Sequence, residues 1–276
     1  MSHKARKRFG QNFLHDNSII DRIINAVAPE TGEHLVEIGP GKGALTQHLV
    51  QSGGRVDVIE LDRDLIPILE NKFSALESFH IHNADALEFN VCDLTESAVS
   101  TAEKETQAHK IRLVGNLPYN ISTPLIFHLL SQIECIGDMH FMLQKEVVER
   151  LCAQPGTKQY GRLSILVQYL CLAELLFIVP PGAFHPVPRV DSAIVRLIPY
   201  AGNLPDPGFG KTIPSNLAYI SKNAFAQRRK TLRNNLKGIL TEEQISQCGI
   251  KPSRRAETLS IAEFVCLSNR YARAAE

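Results

Sequence analysis

Apolar and polar positions along the first two hundred residues follow two alternating periods, one typical of strands and one typical of helices. Short apolar runs predict strands at His34–Ile38, Arg55–Leu61, Phe79–Ile81, Ile111–Val114 and Met139–Leu143. Between them, apolar residues recur at helical spacing and predict helices over Ser18–Val27, Ala44–Gln51, Leu65–Phe73 and Pro124–Gln132. Strands that alternate with helices in this way predict an α/β domain around a mostly parallel sheet.

The last part of this sheet is predicted to differ from the rest. Two more strand-like segments, Ala173–Val179 and Ala193–Ile198, are joined by Pro180–Val190, which contains four prolines. A connection this short leaves no room for a crossover helix, so it predicts an antiparallel pair. We therefore expect a Rossmann-like sheet that is mostly parallel and has a reversed last strand.

A second, smaller domain is expected after the sheet. The Pro- and Gly-rich stretch AGNLPDPGFGKTIP, residues 201–214, is typical of a linker or hinge loop. Beyond it, the pattern predicts helices over Ser215–Gly238, Thr241–Cys248 and Ser260–Ala274. The last two each begin with a capping-box sequence. The predicted boundaries are residues 1–200 for the α/β domain and residues 201–276 for an all-helical domain.

Composition narrows the class of protein without naming a function. Hydrophobic residues make up 44% of the chain and charged residues 21%, as in ordinary globular proteins. The basic N-terminus lacks the apolar core of a secretory signal, so we expect a cytoplasmic protein with no membrane partner. The six scattered cysteines and ten histidines show no metal-ligand spacing. We therefore expect reduced thiols and no metal.

Charge is distributed unevenly although the net charge is only +1. Residues 1–10 carry four basic side chains and no acid, and residues 201–276 carry 12 Lys or Arg against 6 Asp or Glu. The residues between these two stretches are therefore acidic overall. Basic terminal regions that flank an acidic central region favour a nucleic-acid partner, bound by the two terminal regions.

A glycine-rich turn and two carboxylates indicate a cofactor site. The turn places Gly39, Gly41 and Gly43 directly after a predicted strand, and Glu60 and Asp85 follow the next two strands. Ligands of open α/β sheets bind at the carboxyl ends of the strands. A carboxylate there can accept hydrogen bonds from two ribose hydroxyls. The G-x-G-x-G spacing after a glutamate favours S-adenosylmethionine over a dinucleotide.

The most specific motif is Asn116-Leu117-Pro118-Tyr119, which follows the fourth predicted strand. N-x-P-Y resembles the loop of adenine-N6 and cytosine-N4 amino-methyltransferases. The amine of adenine is a weak nucleophile because its lone pair is delocalised into the ring. Asn116 Oδ1 and the Leu117 carbonyl could accept its two hydrogens and direct the lone pair at a methyl group, while Tyr119 stacks on an extruded base. Orientation and desolvation would then supply most of the rate.

Taken together, these motifs resemble the ribosomal RNA adenine N6-dimethyltransferase family, and within it the bacterial small-subunit (16S) branch. The similarity extends over almost the whole chain. It also includes FGQNFL at Phe9–Leu14 and FHPVPRVDS at Phe184–Ser192. The resemblance implies a seven-stranded methyltransferase sheet with a reversed last strand and a small helical C-terminal domain that binds RNA.

The resemblance also implies roles for individual residues. The implied cofactor contacts are Asn12, Leu14, Gly39, Glu60, Asp85 and Asn116. Among them, Gly39 would contact the methionine portion, Glu60 the ribose and Asp85 the adenine. The implied catalytic set is Asn116, Leu117, Tyr119 and Phe184, in which Phe184 is a second stacking partner for the target base.

The implied substrate is a pair of adjacent adenosines in a hairpin loop near the 3′ end of small-subunit ribosomal RNA. Each would receive two methyl groups on N6, within a pre-assembled small subunit during its biogenesis. A loop suits recognition because paired A-form RNA hides its bases. Candidate phosphate contacts are Lys4, Arg6, Lys7, Arg8, Lys222, Arg228, Arg229, Lys230 and Arg233.

Three alternatives remain open at this point. A large-subunit ribosomal RNA methyltransferase shares the glycine turn and the N-x-P-Y loop, although Phe184–Ser192 favours the small-subunit branch. A catalytically silent RNA-binding assembly factor would keep the fold, but the intact Asn116, Tyr119, Glu60 and Asp85 argue against lost catalysis. A nicotinamide-dependent oxidoreductase is disfavoured by the glycine spacing and by the N-x-P-Y loop.

Overall fold

A computed structural model describes residues 6, 11–96, 110–200 and 211–275 of the chain. Its strands are β1 (Phe13–Leu14), β2 (His34–Ile38), β3 (Arg55–Ile59), β4 (Phe79–His82), β5 (Ile111–Asn116), β6 (Ile136–Gln144), β7 (Cys171–Val179), β8 (Phe184–His185) and β9 (Ser192–Pro199). Its helices are α1 (Asn17–Val27), α2 (Thr46–Leu49), α3 (Ile66–Phe73), α4 (Asp93–Glu96), α5 (Ser122–Leu130), α6 (Lys145–Leu151), α7 (Arg162–Leu170), α8 (Pro214–Ala224), α9 (Leu232–Asn235), α10 (Glu242–Ser246) and α11 (Ile261–Ala275). Short 3-10 turns follow α2, α5, β7 and α10.

Seven strands form one sheet in the order β4-β3-β2-β5-β6-β9-β7. The five strands from β2 to β6 pair in parallel, whereas β9 runs antiparallel to β6, with Gln144 opposite Ser192. This confirms the predicted α/β class and the reversed last strand. The reversed strand does not lie at the edge, because it is inserted between β6 and β7.

Helix α1 begins with a side-chain cap and packs its apolar face against the sheet. Asp16 precedes it and its carboxylate accepts hydrogen bonds from the main-chain N–H groups of Ser18 and Ile19, which satisfies two otherwise unpaired donors. The buried residues of α1 are Ile19, Ile20, Ile23 and Val27. They pack in the same core cluster as Leu35, Val56 and Val58 of the neighbouring strands. The helix therefore covers one face of the central parallel strands.

The C-terminal helices differ from the prediction in one place. The predicted helix Ser215–Gly238 ends at Ala224, and the short helix α9 begins only at Leu232. The Asn235 side chain donates to the carbonyls of Ala224 at 2.6 Å and Gln227 at 3.1 Å, so it satisfies acceptors that an interrupted helix leaves unpaired. The predicted capping box at Thr241 is confirmed.

The chain divides into two compact units, one of Met1–Val148 with Glu174–Pro199 and one of Glu149–Ala173 with Tyr200–Glu276. The division after Pro199 lies beside the predicted boundary at residue 200. Glu149–Ala173, which was expected within the first domain, groups with the second unit instead. Within that unit the centroids of the stacked Phe225 and Phe264 rings lie 6.0 Å apart.

The expectation of six reduced thiols is wrong for four cysteines. Cys92 is bonded to Cys135, and Cys248 is bonded to Cys266. These partners lie 43 and 18 residues apart along the chain, a separation from which pairing cannot be deduced without the fold. Among the described residues, no helix is both long enough and apolar enough to cross a membrane.

Candidate active site

A cavity of about 470 Å³ opens at the carboxyl edge of the parallel strands. Its walls are the glycine turn after β2, the residues that follow β3 and β4, the loop after β5, and the segment before α1. The cavity brings together eight of the predicted site residues, namely Asn12, Leu14, Gly39, Glu60, Asp85, Asn116, Leu117 and Tyr119. The edge is the one where open α/β sheets bind ligands.

The glycine turn requires its glycines for two reasons. Gly39 and Gly41 have φ angles of 69° and 60°, in the left-handed region that side chains disfavour. A Cβ on Gly41 would also lie only 3.1 Å from the Phe13 ring. The Gly39 N–H donates to the Ile59 carbonyl at 2.9 Å, so the turn is fastened to the end of β3. The main chain therefore lines the cavity with no side chain in the way.

Glu60, directly after β3, is hydrogen bonded to this turn. It is 7% exposed and accepts hydrogen bonds from the main-chain N–H groups of Gly41 at 3.2 Å and Asp62 at 2.8 Å. Burial raises the pKa of Glu60 above its usual range, against the effect of these hydrogen bonds. A carboxylate fixed by two donors keeps lone pairs that a ligand's hydroxyl groups can use.

Asp85 lies in a turn after β4 that is tied to the end of β3. Its Oδ1 accepts from the Leu87 N–H at 2.9 Å, and its carbonyl accepts from the N–H groups of Glu88 and Phe89. The Asn83 side chain donates to the Glu60 carbonyl at 2.8 Å. These bonds fix the turn, so both carboxylates line the same cavity from adjacent strand ends.

Asn116, the last residue of β5, has a defined amide orientation. Its Nδ2 donates to the main-chain carbonyl of Asn12 at 2.9 Å. Because Nδ2 is engaged there, Oδ1 is the atom of this cavity-lining side chain that is left to accept a hydrogen bond from a ligand. The Leu117 N–H donates to the Met142 carbonyl at 3.1 Å, which holds the start of the loop against β6.

Tyr119 is held at the other end of the same loop. Its hydroxyl is hydrogen bonded to Ser192 Oγ at 2.7 Å. Burial raises the pKa of Tyr119 and outweighs the opposite effect of Ser192, so the phenol stays neutral. Tyr119 lines the cavity together with Asn116 and Leu117 of the same loop.

Phe184 differs from the other predicted site residues. It is 1% exposed and packs in the core cluster with Leu14 and Ile194, and the cavity walls do not include it. Strand β8 pairs with β1, with Phe184 opposite Leu14 and His185 opposite Phe13. Successive strand side chains point to opposite faces, and the structure accordingly brings His185 to the cavity instead of Phe184. A strand of two residues carries no periodicity from which this could be predicted.

Glu37 is a cavity residue that was not among the predicted site residues. It is 2% exposed, and Thr46 Oγ1 donates to its carboxylate at 2.5 Å. Burial raises the pKa of Glu37 to about 7, with a further contribution from the nearby charge of Glu60. The sequence signal was a glutamate between Val36 and Ile38 in a predicted strand, since a strand buried on both faces rarely includes an acid.

The basic residues proposed from sequence fall into three groups. Lys4, Lys7 and Arg8 lie outside the described residues. Arg6 pairs with Asp62 at 3.0 Å and also with Asp64, two residues that follow β3. The candidates in the second unit are all exposed, namely Lys222, Arg228, Arg229, Lys230 and Arg233. Of these, Arg228 pairs with Glu257 at 2.9 Å.

The sheet order, the inserted antiparallel strand and the glycine turn at the carboxyl edge define a class I methyltransferase fold. A family model described as ribosomal RNA adenine dimethylase matches residues 2–273. The chain therefore belongs to the ribosomal RNA adenine dimethylase family, which confirms the family and the enzyme class predicted from the motifs. The oxidoreductase alternative is thereby excluded.

Curated relatives agree with this assignment. The chain is 55% identical over 270 residues to ribosomal RNA small subunit methyltransferase A of Pseudomonas aeruginosa, covering 98% of this chain and 96% of that protein. It is 55% identical over 267 residues to the protein of that name in Saccharophagus degradans, covering 97% and 94%.

Two solved structures are similar in fold. A dimethyladenosine transferase from Plasmodium falciparum superposes with a TM-score of 0.74 at 24% identity, covering 95% of this chain and 98% of that one. The 23S rRNA methyltransferase ErmE superposes with a TM-score of 0.69 at 23% identity, covering 95% and 100%. At these identities the similarity is evidence of the fold alone.

Proposed function

We propose that this chain transfers methyl groups from S-adenosylmethionine to N6 of two adjacent adenosines in a loop near the 3′ end of small-subunit ribosomal RNA. Each adenosine would receive two methyl groups, as a step of small-subunit biogenesis. The observation that carries the proposal is the fixed amide of Asn116 at the edge of a cavity that also contains Glu60 and Asp85. The names of the 55% identical relatives support the small subunit over the large one.

The cavity residues fit S-adenosylmethionine chemically. Glu60 would accept hydrogen bonds from the ribose hydroxyls, and Asp85 would accept one from the adenine amine. The main chain at Gly39, which has a left-handed φ and no side chain, leaves room for the methionine portion. Asn12 and Leu14 would close the site from the N-terminal side. When bound there, the cofactor supplies a methyl group on a sulfonium sulfur, which is open to attack by a nitrogen lone pair.

The residues after β5 would activate the target amine. Asn116 Oδ1 and the Leu117 carbonyl would accept the two N6 hydrogens and draw the nitrogen away from planarity. The N6 lone pair would then point along the line of transfer, and orientation would replace a strong general base. Once N6 carries the methyl group it is cationic and releases a proton to water. In the second transfer only one N6 hydrogen remains, so only one of the two acceptors is used.

Tyr119 would hold the target base by its ring face. A base in a paired helix cannot reach a cavity of this kind, so the target must be extruded or already unpaired. Stacking on an aromatic ring contributes about 1–3 kcal/mol per base in single-stranded complexes. Phe184 is not assigned to this stack, because its side chain is in the core.

The rest of the proposal concerns the RNA partner. The exposed cations of the second unit, including Lys222, Arg229 and Lys230, support a phosphate-binding role for that unit. We propose a pre-assembled small ribosomal subunit as the substrate, since a loop folded within a particle presents its bases in a defined position. A cytoplasmic location follows from that substrate.

The test is transfer of labelled methyl groups from S-adenosylmethionine to unmethylated small subunits and, in parallel, to large subunits. Incorporation into small subunits alone supports the proposal. Incorporation into large subunits alone would assign the chain to the alternative substrate. Incorporation into neither, with cofactor binding intact, would favour the silent assembly factor. The Asn116→Ala variant is the control for transfer by a contaminating enzyme.

A further inference from the structure

We propose that Ser192 is a positioning residue of the transfer site, whose hydroxyl holds the Tyr119 ring in the orientation at which a target base stacks. This inference rests on the proposed function, because it assigns the stacking role to Tyr119. The observation is the hydrogen bond of 2.7 Å between Tyr119 Oη and Ser192 Oγ, which joins residues 73 positions apart.

Ser192 is placed to act as a rigid anchor. It is 0% exposed and is the first residue of β9, where it lies opposite Gln144 in the antiparallel ladder. One residue earlier, the Asp191 carbonyl accepts from the Lys145 N–H at 3.0 Å. The main chain on both sides of the serine is thus bonded to the β6–α6 segment, and its hydroxyl has little freedom to move.

Tyr119 needs such an anchor because it lies in a turn. The turn is held by the Ile121 N–H, which donates to the Pro118 carbonyl at 3.2 Å, and by Ser122 Oγ, which donates to the Tyr119 carbonyl at 3.2 Å. These bonds fix the main chain but not the two side-chain torsions of the tyrosine. The contact at the far end of the ring fixes the position of Oη and with it the first torsion. Because a phenolic O–H prefers the plane of its ring, the same bond also favours one setting of the second torsion.

The contact also has a consequence for recognition. A tyrosine whose hydroxyl is already hydrogen bonded to Ser192 offers the base chiefly its ring face. Every base has a π-face, so stacking alone is tolerant of base identity. Discrimination in favour of an exocyclic amine therefore falls to Asn116 and Leu117, and Ser192 contributes to geometry without reading the base.

The first experiment is a double-mutant cycle on the full chain with small subunits as substrate. We expect Ser192→Ala and Tyr119→Phe each to lower kcat about 3- to 10-fold, the range of one neutral hydrogen bond. The dissociation constant of S-adenosylmethionine should not change. The double variant should be no slower than the slower single variant, because both substitutions remove the same bond. Multiplied effects in the double variant, or an unchanged kcat in Ser192→Ala, would overturn the proposal.

Two controls separate positioning from general destabilisation. Ser221→Ala removes an equally buried serine hydroxyl, which bonds to the Ala218 carbonyl in the second unit, and should leave kcat unchanged. Ultraviolet resonance Raman spectra report the hydrogen bonding of phenols, and the chain has six tyrosines and no tryptophan. Ser192→Ala should alter the tyrosine bands, and should alter them no further in a Tyr119→Phe background.

The outcomes also distinguish this inference from the proposed function. A wild-type chain that methylates no small subunit contradicts the proposed function and the Ser192 role together. An active wild-type chain with an equally active Ser192→Ala variant contradicts the Ser192 role alone. Unaltered tyrosine bands in Ser192→Ala would contradict the contact itself, whatever the activity.

Discussion

The side chain of Asn116 and the main chain of Asn12 are joined by a hydrogen bond of 2.9 Å, in which Nδ2 donates to the carbonyl oxygen. Two residues 104 positions apart thus decide which end of an amide faces the cavity. The segment that includes Asn12 is itself anchored, because Phe13 and Leu14 form β1 and pair with β8. Orientation of the acceptor is therefore a property of the fold and not of the N-x-P-Y loop alone.

The first prediction concerns Asn116. Replacing it by Ala should leave the dissociation constant of S-adenosylmethionine nearly unchanged and lower the transfer rate on the order of 10²–10³-fold, the scale of losing one fixed polar group at a reacting centre. Asn116→Asp should also fail, since a carboxylate cannot donate to the Asn12 carbonyl. Calorimetry beside single-turnover transfer measures both quantities, with the exposed Asn17→Ala as control. Retained transfer in either variant would remove Asn116 from the mechanism.

A second prediction concerns the ribose assignment of Glu60. Glu60→Ala should weaken binding of S-adenosylmethionine by about 1.5–3 kcal/mol, the contribution of a hydrogen bond to a charged group. The loss should appear in the dissociation constant measured by calorimetry. Glu77→Ala, which removes an exposed carboxylate before β4, should bind the cofactor as the wild type does. An unchanged affinity in Glu60→Ala would reject the assignment.

The third prediction uses the raised pKa of Glu37. Because its folded pKa of about 7 exceeds the usual value of 4.5, the folded chain binds this proton more tightly than the unfolded chain. Stability from this group is therefore complete below pH 4.5 and falls as the pH rises toward 7. Glu37→Gln stays neutral at every pH. Above about pH 7 its free energy of unfolding should therefore exceed that of the wild type by up to about 3 kcal/mol.

Urea unfolding of the cofactor-free chain at both ends of this pH range checks the Glu37 prediction. The variant and the wild type should have nearly equal free energies of unfolding at the acidic end. The free energy of unfolding of the variant should exceed that of the wild type by an amount that increases as the pH rises. A difference of the same size at both ends would show that the substitution acts through packing and not through titration of this carboxyl.

A fourth prediction concerns Asp57, a fully buried carboxylate in β3. Burial alone would raise its pKa, but hydrogen bonds from His34 at 2.7 Å, His82 at 2.6 Å and Arg55 at 2.7 Å outweigh burial and hold the pKa well below its usual range. Stability from this group is present above its usual pKa and is lost as the pH falls. Asp57→Asn should cost about 3 kcal/mol or more at neutral pH.

Acid titration followed by circular dichroism tests the Asp57 prediction. The difference in free energy of unfolding between the wild type and Asp57→Asn should narrow as the pH falls below about 4. There the carboxyl of the unfolded chain takes up a proton, whereas that of the folded chain stays ionised. The exposed Asp21→Asn should follow the wild type throughout. A difference in free energy of unfolding that stays constant with pH would mean that Asp57 stabilises the sheet through packing and hydrogen-bond geometry and not through its charge.

The strands were more predictable than the connections between them. His34–Ile38 was predicted with the bounds that the structure has, since a buried parallel strand is a continuous apolar run between polar turns. Helix α7, Arg162–Leu170, was not predicted. Leu163, Ile165 and Val167 are all buried, so apolar residues cover most of its circumference and no polar stripe reveals the helical period.

The site was predictable where motifs carry its chemistry and not where tertiary contacts do. Glu60 and Asp85 follow successive strands, so topology alone places them at one edge of the sheet. The hydrogen bond between Asn116 and Asn12 depends on the position of β1. This strand has only two residues, so the sequence has no alternating pattern that would predict it. The exchange of Phe184 for His185 at the cavity wall has the same origin, because it depends on which face of β8 is turned inward.

The central claim is tested most directly by mapping the methylated positions in small-subunit RNA after reaction with the purified chain. Digestion and mass spectrometry of the RNA near its 3′ end should find N6,N6-dimethyladenosine at two adjacent positions, and none after reaction with Asn116→Ala. Methyl groups on the large-subunit RNA, or on atoms other than N6, would contradict the account.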